Sequence, residues 1–300
     1  MKLLLDLGAF FLSQLCMVLL NPRGMWQAIK QSVGQVTAPL RWMRQGSPLL
    51  EDIPALSLPF HGEWKTANGG VDKQHSHSWG LVSQRYAYDF LIEDEQGKTF
   101  RTSGKTPEDY FCWGQDILSP ADGVVVAIEN SVRDYSRASM WTDWQTPSIV
   151  GNFVVVQHAE RVYSLSAHLQ KSSVCVKTGD RVERGQLIGK CGHSGNSTEP
   201  HLHFQLQDRA DFFDCVGLPI VFAHAQIREK ETIAAFEETH VRRGQFVKTV
   251  STFLPQKIER VVADIQTKDI LMSLLSSFLT LLGIFAFFRW VLGFLIGLFN

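Results

Sequence analysis

Pro200-His201-Leu202-His203-Phe204 opens a run, His201–Gln207, that reads as a β-strand. On a strand, residues two apart point to the same face, so His201 and His203 project side by side. Two imidazoles about 6–7 Å apart at their Cα atoms can serve one metal centre, one as a ligand and the other beside it. By itself such a pair is equally a solvated surface feature. Similar short runs rich in Val, Ile, Phe and Tyr surround it: Tyr86–Ile92, Gly123–Ile128, Asn152–His158 and Val162–His168. Gly, Asn, Asp and Pro punctuate them from about Leu58 to Phe222, and no long helical period interrupts. The expected fold class is therefore mainly β, an antiparallel sheet domain over residues 51–222. After it, Glu229–Glu238 and Ile258–Asp269 read as charged helices, which makes 223–269 a helical linker or stalk.

The flanks differ in composition from this domain. The chain has 300 residues, a net charge of −1, five cysteines and 45% hydrophobic residues. That excludes a disordered tail and a disulfide scaffold, and the lack of basic excess argues against a nucleic-acid partner. Neutrality is a cancellation. Residues 1–50 hold five basic residues and one acid, whereas residues 51–222 hold 15 basic and 22 acidic ones. From Ile270 to Phe288 there are 19 residues without a charge, nearly enough at ~1.5 Å per residue to span a ~30 Å hydrocarbon layer. Residues 270–300 are thus expected to be a transmembrane anchor, with the lipid bilayer as a partner. Residues 1–50 are expected to be a second membrane-associated segment. Leu3–Leu20 is largely apolar, and Trp26, Ile29, Val33 and Val36 then recur at helical spacing beside Arg23 and Lys30. Such a helix suits an anionic membrane surface or packing against the domain. Arg23, Lys30, Arg41 and Arg44 favour a cytoplasmic position for this stretch.

Further chemistry-bearing residues accompany the histidine pair. Ser76-His77-Ser78-Trp79 lies upstream of Tyr86-Ala87-Tyr88-Asp89-Phe90, and His168 closes the run Val162–His168. Two histidines and one carboxylate can hold a zinc ion with the fourth position open, the pattern of a catalytic site. H-E-x-x-H is absent, so this is no helix-borne zincin. His61, His158, His193, His224 and His240 have no evident partner and read as surface or satisfied core residues. Cys112, Cys175, Cys191 and Cys215 fall in the β domain, and four cysteines allow three pairings.

Taken in order, Asp122-Gly123-Val124-Val125, Gly151-Asn152, His168-Leu169, Gly179-Asp180, Gly185-Gln186, Gly195-Asn196-Ser197-Thr198 and His201-x-His203 are similar to a known pattern. Over about residues 60–222 the chain resembles the lysostaphin/LytM-type zinc metallopeptidases. The resemblance implies one Zn2+ held by His77, Asp89 and His203, with His168 and His201 as the catalytic pair. It also implies cleavage of peptide bonds in bacterial cell-wall peptidoglycan, in stem peptides or bridges, by a domain on the cell-envelope side of its membrane. The spacing from His77 to Asp89 is longer than the family's common H-x-x-x-D, and His75 is the alternative first ligand. Retention of all five positions favours an enzyme over a catalytically silent module that regulates another wall hydrolase.

Overall fold

Residues 202–207 form a strand near the middle of an eleven-stranded sheet, in a computed structural model that describes residues 2–49, 51–253 and 258–298. Two helices open the chain, α1 (Lys2–Leu20) and α2 (Pro22–Gln45). Between them Asn21 caps α2, its side chain accepting from the Arg23 amide, and Pro22 occupies the first turn, where no N–H is needed. The strands follow as β1 (Trp64–Asn68), β2 (Tyr88–Leu91), β3 (Asp116–Leu118), β4 (Gly123–Glu129), β5 (Asn152–Ala159), β6 (Val162–Leu169) and β7 (Arg181–Val182). Then come β8 (Leu187–Lys190), β9 (Leu202–Gln207), β10 (Gly217–Leu218), β11 (Phe222–Glu229), β12 (Thr232–Thr239) and β13 (Phe246–Thr249), and last the helix α3 (Thr267–Leu298).

Every pairing between these strands is antiparallel, as expected from the sequence. The large sheet runs β12-β11-β13-β1-β2-β9-β6-β5-β4-β7, with β10 also on β9, while β3 and β8 make a separate pair. Leu202, Phe204 and Leu206 point to one face of β9 and are fully buried with Phe60, Trp64, Phe90 and Phe222. Burying each such side chain contributes about 1.5–3 kcal/mol, so this core supplies much of the domain's stability. All five cysteines are free thiols, Cys112, Cys191 and Cys215 buried.

The segment after residue 222 departs from expectation. Residues 222–249 are not a helical stalk but three further strands of the main sheet. Glu229 pairs with Thr232 across a two-residue hairpin turn in which Lys230 has φ 54°. Glu and Ala are good helix formers, but Phe222, Ala225 and Ile227 are buried on β11, and tertiary packing overrides propensity. The domain therefore runs to about Thr249. Of the expected helix at 258–269 only the last residues are helical. Residues 258–266 lie in irregular backbone along the domain, where the Asp264 amide donates to the Tyr86 hydroxyl.

The three helices pack together, α2 against both α1 and α3. Gly24 permits the close approach of α1 to α2, and Gly34 that of α2 to the β domain. A Cβ on Gly24 would stand 2.3 Å from the Met17 carbonyl oxygen, and one on Gly34 would stand 1.7 Å from that of Phe213. Of the two options expected for α2, packing on the domain is observed along one face, while Trp26 and Val33 of the apolar repeat are more than half exposed. On α3, Ile270, Ser273, Ser277 and Ile284 are buried, and Ser277 Oγ donates to the Ser32 carbonyl. Thr267–Phe287 is 21 residues long and apolar enough to cross a membrane, ~31 Å at the helical rise.

Candidate metal centre

Strand register sets the centre. Asp89 on β2 lies directly opposite His203 on β9, and His203 lies opposite Ala167 on β6, the residue before His168. Across β1 and β2, Asn68 pairs with Asp89 beyond a register shift, and its Nδ2 donates to Asp89 Oδ2 at 3.1 Å. One row of the sheet thus presents an amide, a carboxylate and an imidazole side by side. His77 arrives differently, on the loop between β1 and β2, with Nε2 3.5 Å from Asp89 Oδ2. His201 Nε2 is 3.7 Å from Asp89 Oδ1, and His203 Nδ1 is 3.0 Å from the same oxygen. The structure therefore gathers His77, Asp89, His168, His201 and His203 into one site. His75 is elsewhere, its Nδ1 2.8 Å from Asp72.

His168, His201 and His203 are each oriented by a partner on the ring's other nitrogen. His168 Nδ1 donates to the Ser194 carbonyl at 2.8 Å, and His201 Nδ1 to the Glu199 carbonyl at 2.8 Å. Both tautomers then leave Nε2 with its lone pair free. The two rings stand 4.9 Å apart, centroid to centroid. His168 has φ 58°, a left-handed conformation that is costly for a side chain with a Cβ, and it re-aims the ring at the end of β6.

His203 carries the most informative geometry. Gln205 donates its Nε2 to the Ser83 carbonyl and to Gln207, so its Oε1 is an acceptor and draws the His203 Nε2–H at 3.0 Å. His203 Nδ1 then faces the Asp89 carboxylate at 3.0 Å, a contact closed by a proton on the imidazole or by a bound cation in its place. Among the described residues no three His, Cys, Asp or Glu side chains form a ready-made metal-binding group. The donor set still fits a divalent cation, because two imidazoles and a carboxylate converge while Gln205 orients His203 from behind.

The charges follow the same logic. Burial opposes ionisation of Asp89, but the His203 hydrogen bond and the three surrounding imidazoles outweigh it and hold the carboxyl far below its usual range. Burial pushes His203 down, yet Asp89 and Gln205 together leave it raised. His168 is driven well below its ordinary value, first by burial and then by His201 and His203, so its ring is neutral. Burial likewise lowers His77, against the pull of Asp89.

The site lies in a groove of about 510 Å3, one wall of which comes from outside the sheet. Gln14 on α1 exchanges amide hydrogen bonds with Asn196 at 3.0 Å, and Asn21 donates to the Trp144 and Thr146 carbonyls. Gln27 on α2 donates to the Pro147 carbonyl and accepts from the Ile149 amide at 2.8 Å, while Gln35 accepts from Val82 at 2.9 Å. The helices are stitched to both rims of the groove. Sequence reasoning did not anticipate Asn68, Gln205, Ser194 or this wall. Only Gln205 left a trace, being two residues from His203 on the same strand face.

Residues 108–215 match the family described as Peptidase family M23. The matched stretch contains His168, His201 and His203 and begins after His77 and Asp89. Peptidoglycan DD-endopeptidase ShyA of Vibrio cholerae is 36% identical over 93 residues, 31% of this chain and 17% of that protein. Peptidoglycan DD-endopeptidase ShyC of the same organism is 33% identical over 92 residues, 31% of this chain and 19% of that protein. A solved structure of a zinc-containing peptidase from Vibrio cholerae is 20% identical, with 55% of this chain and 39% of that one covered and a TM-score of 0.34. The chain spans less than a fifth of the length of either curated relative.

Proposed function

Because the chain carries a peptidase family M23 domain, we propose that it is a zinc-dependent endopeptidase that hydrolyses peptide bonds of bacterial cell-wall peptidoglycan. The observation that carries this reading is the convergence of His77, Asp89 and His203 in one groove, with His168 and His201 beside them. His77, Asp89 and His203 would hold one zinc ion. When bound, zinc supplies Lewis-acid polarisation of the scissile carbonyl and acidifies a water to a pKa of about 7.

The chain's own residues do the rest. His168, kept neutral by burial and fixed by the Ser194 carbonyl, offers Nε2 as the base that takes a proton from the attacking water. His168 then returns that proton from Nε2 to the leaving amine, while His201, fixed by the Glu199 carbonyl with its own Nε2 lone pair turned to the same point, accepts the water's other hydrogen and orients it for attack. The groove between α1–α2 and the sheet receives the peptide in extended form, with Asn68 and Gln31 on its walls offering amides to its backbone. We further place the helix Thr267–Phe287 in a lipid bilayer, with the domain on the cell-envelope side.

The test uses the full chain, since β11–β13 belong to the sheet. Zinc content near one per chain and release of muropeptides from purified sacculi are expected, both lost in His203→Ala. A variant that releases fragments as fast as the parent would sink the assignment. Zinc-free protein that binds sacculi without cutting them would favour the silent module.

A further inference from the structure

We propose that the outer face of α1 and α2 rests among the acyl chains of an anionic bilayer, so that one wall of the groove is supported by lipid. α2 is apolar on two sides: Ala38 and Trp42 are buried in the domain core, and a second apolar set faces outward. Its amides Gln27 and Gln35 are buried and hydrogen-bonded to the rims, while Trp26 is 58% and Met43 57% exposed, with Val33 and Leu40 also outward. α1 repeats the pattern: Ser13 and Gln14 bond Thr142 and Asn196, and Phe11, Leu12 and Leu15 are at least half exposed. A helix facing water on its outer side carries polar residues there instead. Here the apolar face is continuous with that of α3, whose buried stripe lies on α2 and whose Leu271, Met272 and Phe278 face outward. Charge selects the occupant. Arg23, Lys30 and Arg44 are exposed on α2, which contains no acid, and this matches anionic headgroups over an apolar interior.

The inference rests on the membrane reading of α3 and is independent of the peptidase reading. The full chain, with Cys16→Ser and Cys175→Ser to remove the accessible thiols, takes an environment-sensitive nitrobenzoxadiazole label at Val33→Cys or, separately, Met43→Cys. Phe278→Cys on α3 and Ser131→Cys on an exposed loop of the domain serve as references. Each protein is reconstituted into phosphatidylcholine–phosphatidylglycerol vesicles with plain or brominated acyl chains. Labels at 33 and 43 are expected to lose fluorescence to the brominated lipid as strongly as the label at 278, and the label at 131 is expected to lose none. Quenching of 33 and 43 by aqueous iodide instead would show a water-bathed face and overturn the proposal. Shielding from both quenchers would show a second copy or another protein there, and would overturn it too. Either result with 278 still quenched leaves α3 as a membrane anchor.

Discussion

Leu202, Phe204 and Leu206 on one face of β9 and His203, Gln205 and Gln207 on the other are all buried, but they are held by different physics. The apolar face sits in a continuous core where contacts are numerous and undirected, so the loss of one side chain is shared among its neighbours. On the polar face each atom has a named partner: Asp89 and Gln205 for His203, Ser83 and Gln207 for Gln205, Arg209 for Gln207. Removing one of these leaves another orphaned in a dry setting. The first face holds the domain together and the second sets directions.

That contrast can be broken from either side. Phe204→Ala is expected to have the largest effect on stability, ~3–5 kcal/mol, read as a lower urea midpoint with zinc retained by the folded fraction. Next comes acid sensitivity. His193 is buried between Ser197 and the Arg137 carbonyl, and burial lowers its pKa to about 4. The unfolded chain takes up that proton near the ordinary value of ~6.5. Its contribution is therefore whole above pH 6.5, is lost as pH falls, and is gone near 4, at ~1 kcal/mol per pH unit. His193→Gln should flatten this window in urea titrations at stepped pH.

Gln205→Leu tests direction without bulk. Zinc retention against a chelator should weaken by ~10–100-fold as His203 loses its backing, while the stability read from the urea midpoint falls by about 1–3 kcal/mol for the orphaned polar groups, less than in Phe204→Ala. Equal retention would mean that Asp89 alone orients the ring. The smallest effect belongs to the helical wall: Gln27→Ala frees the Ile149 amide and Pro147 carbonyl at a cost of ~1 kcal/mol. Faster hydrogen exchange across α2 with unchanged exchange in β9 would register it.

The two faces were also unequally legible in the sequence. The period of two through His201–Gln207 disclosed the strand, and with it one side on which two histidines stand together. His168 is visible as a residue only. Its left-handed backbone, which turns the ring into the site, depends on neighbours such as the Val150 carbonyl that accepts its amide. The strands of residues 222–239 were hidden because Glu-Lys-Glu and Ala-Ala favour a helix locally, and the pairing with β13 that reverses this is non-local. On α2 the apolar repeat was plain, but not which way it faced. Buried glutamines give that answer, and glutamine reads as surface until its partner is seen.

Arg85 occupies the place four residues before Asp89, where the family's common pattern has its first histidine. Its buried guanidinium leaves the site, stacks on Trp79 and pairs with Asp269 in the first turn of α3. The root of the apolar helix is thereby tied to the turn that leads into β2, the strand that bears the Asp89 carboxylate, so the seat of α3 and the entry of β2 share one buried cation.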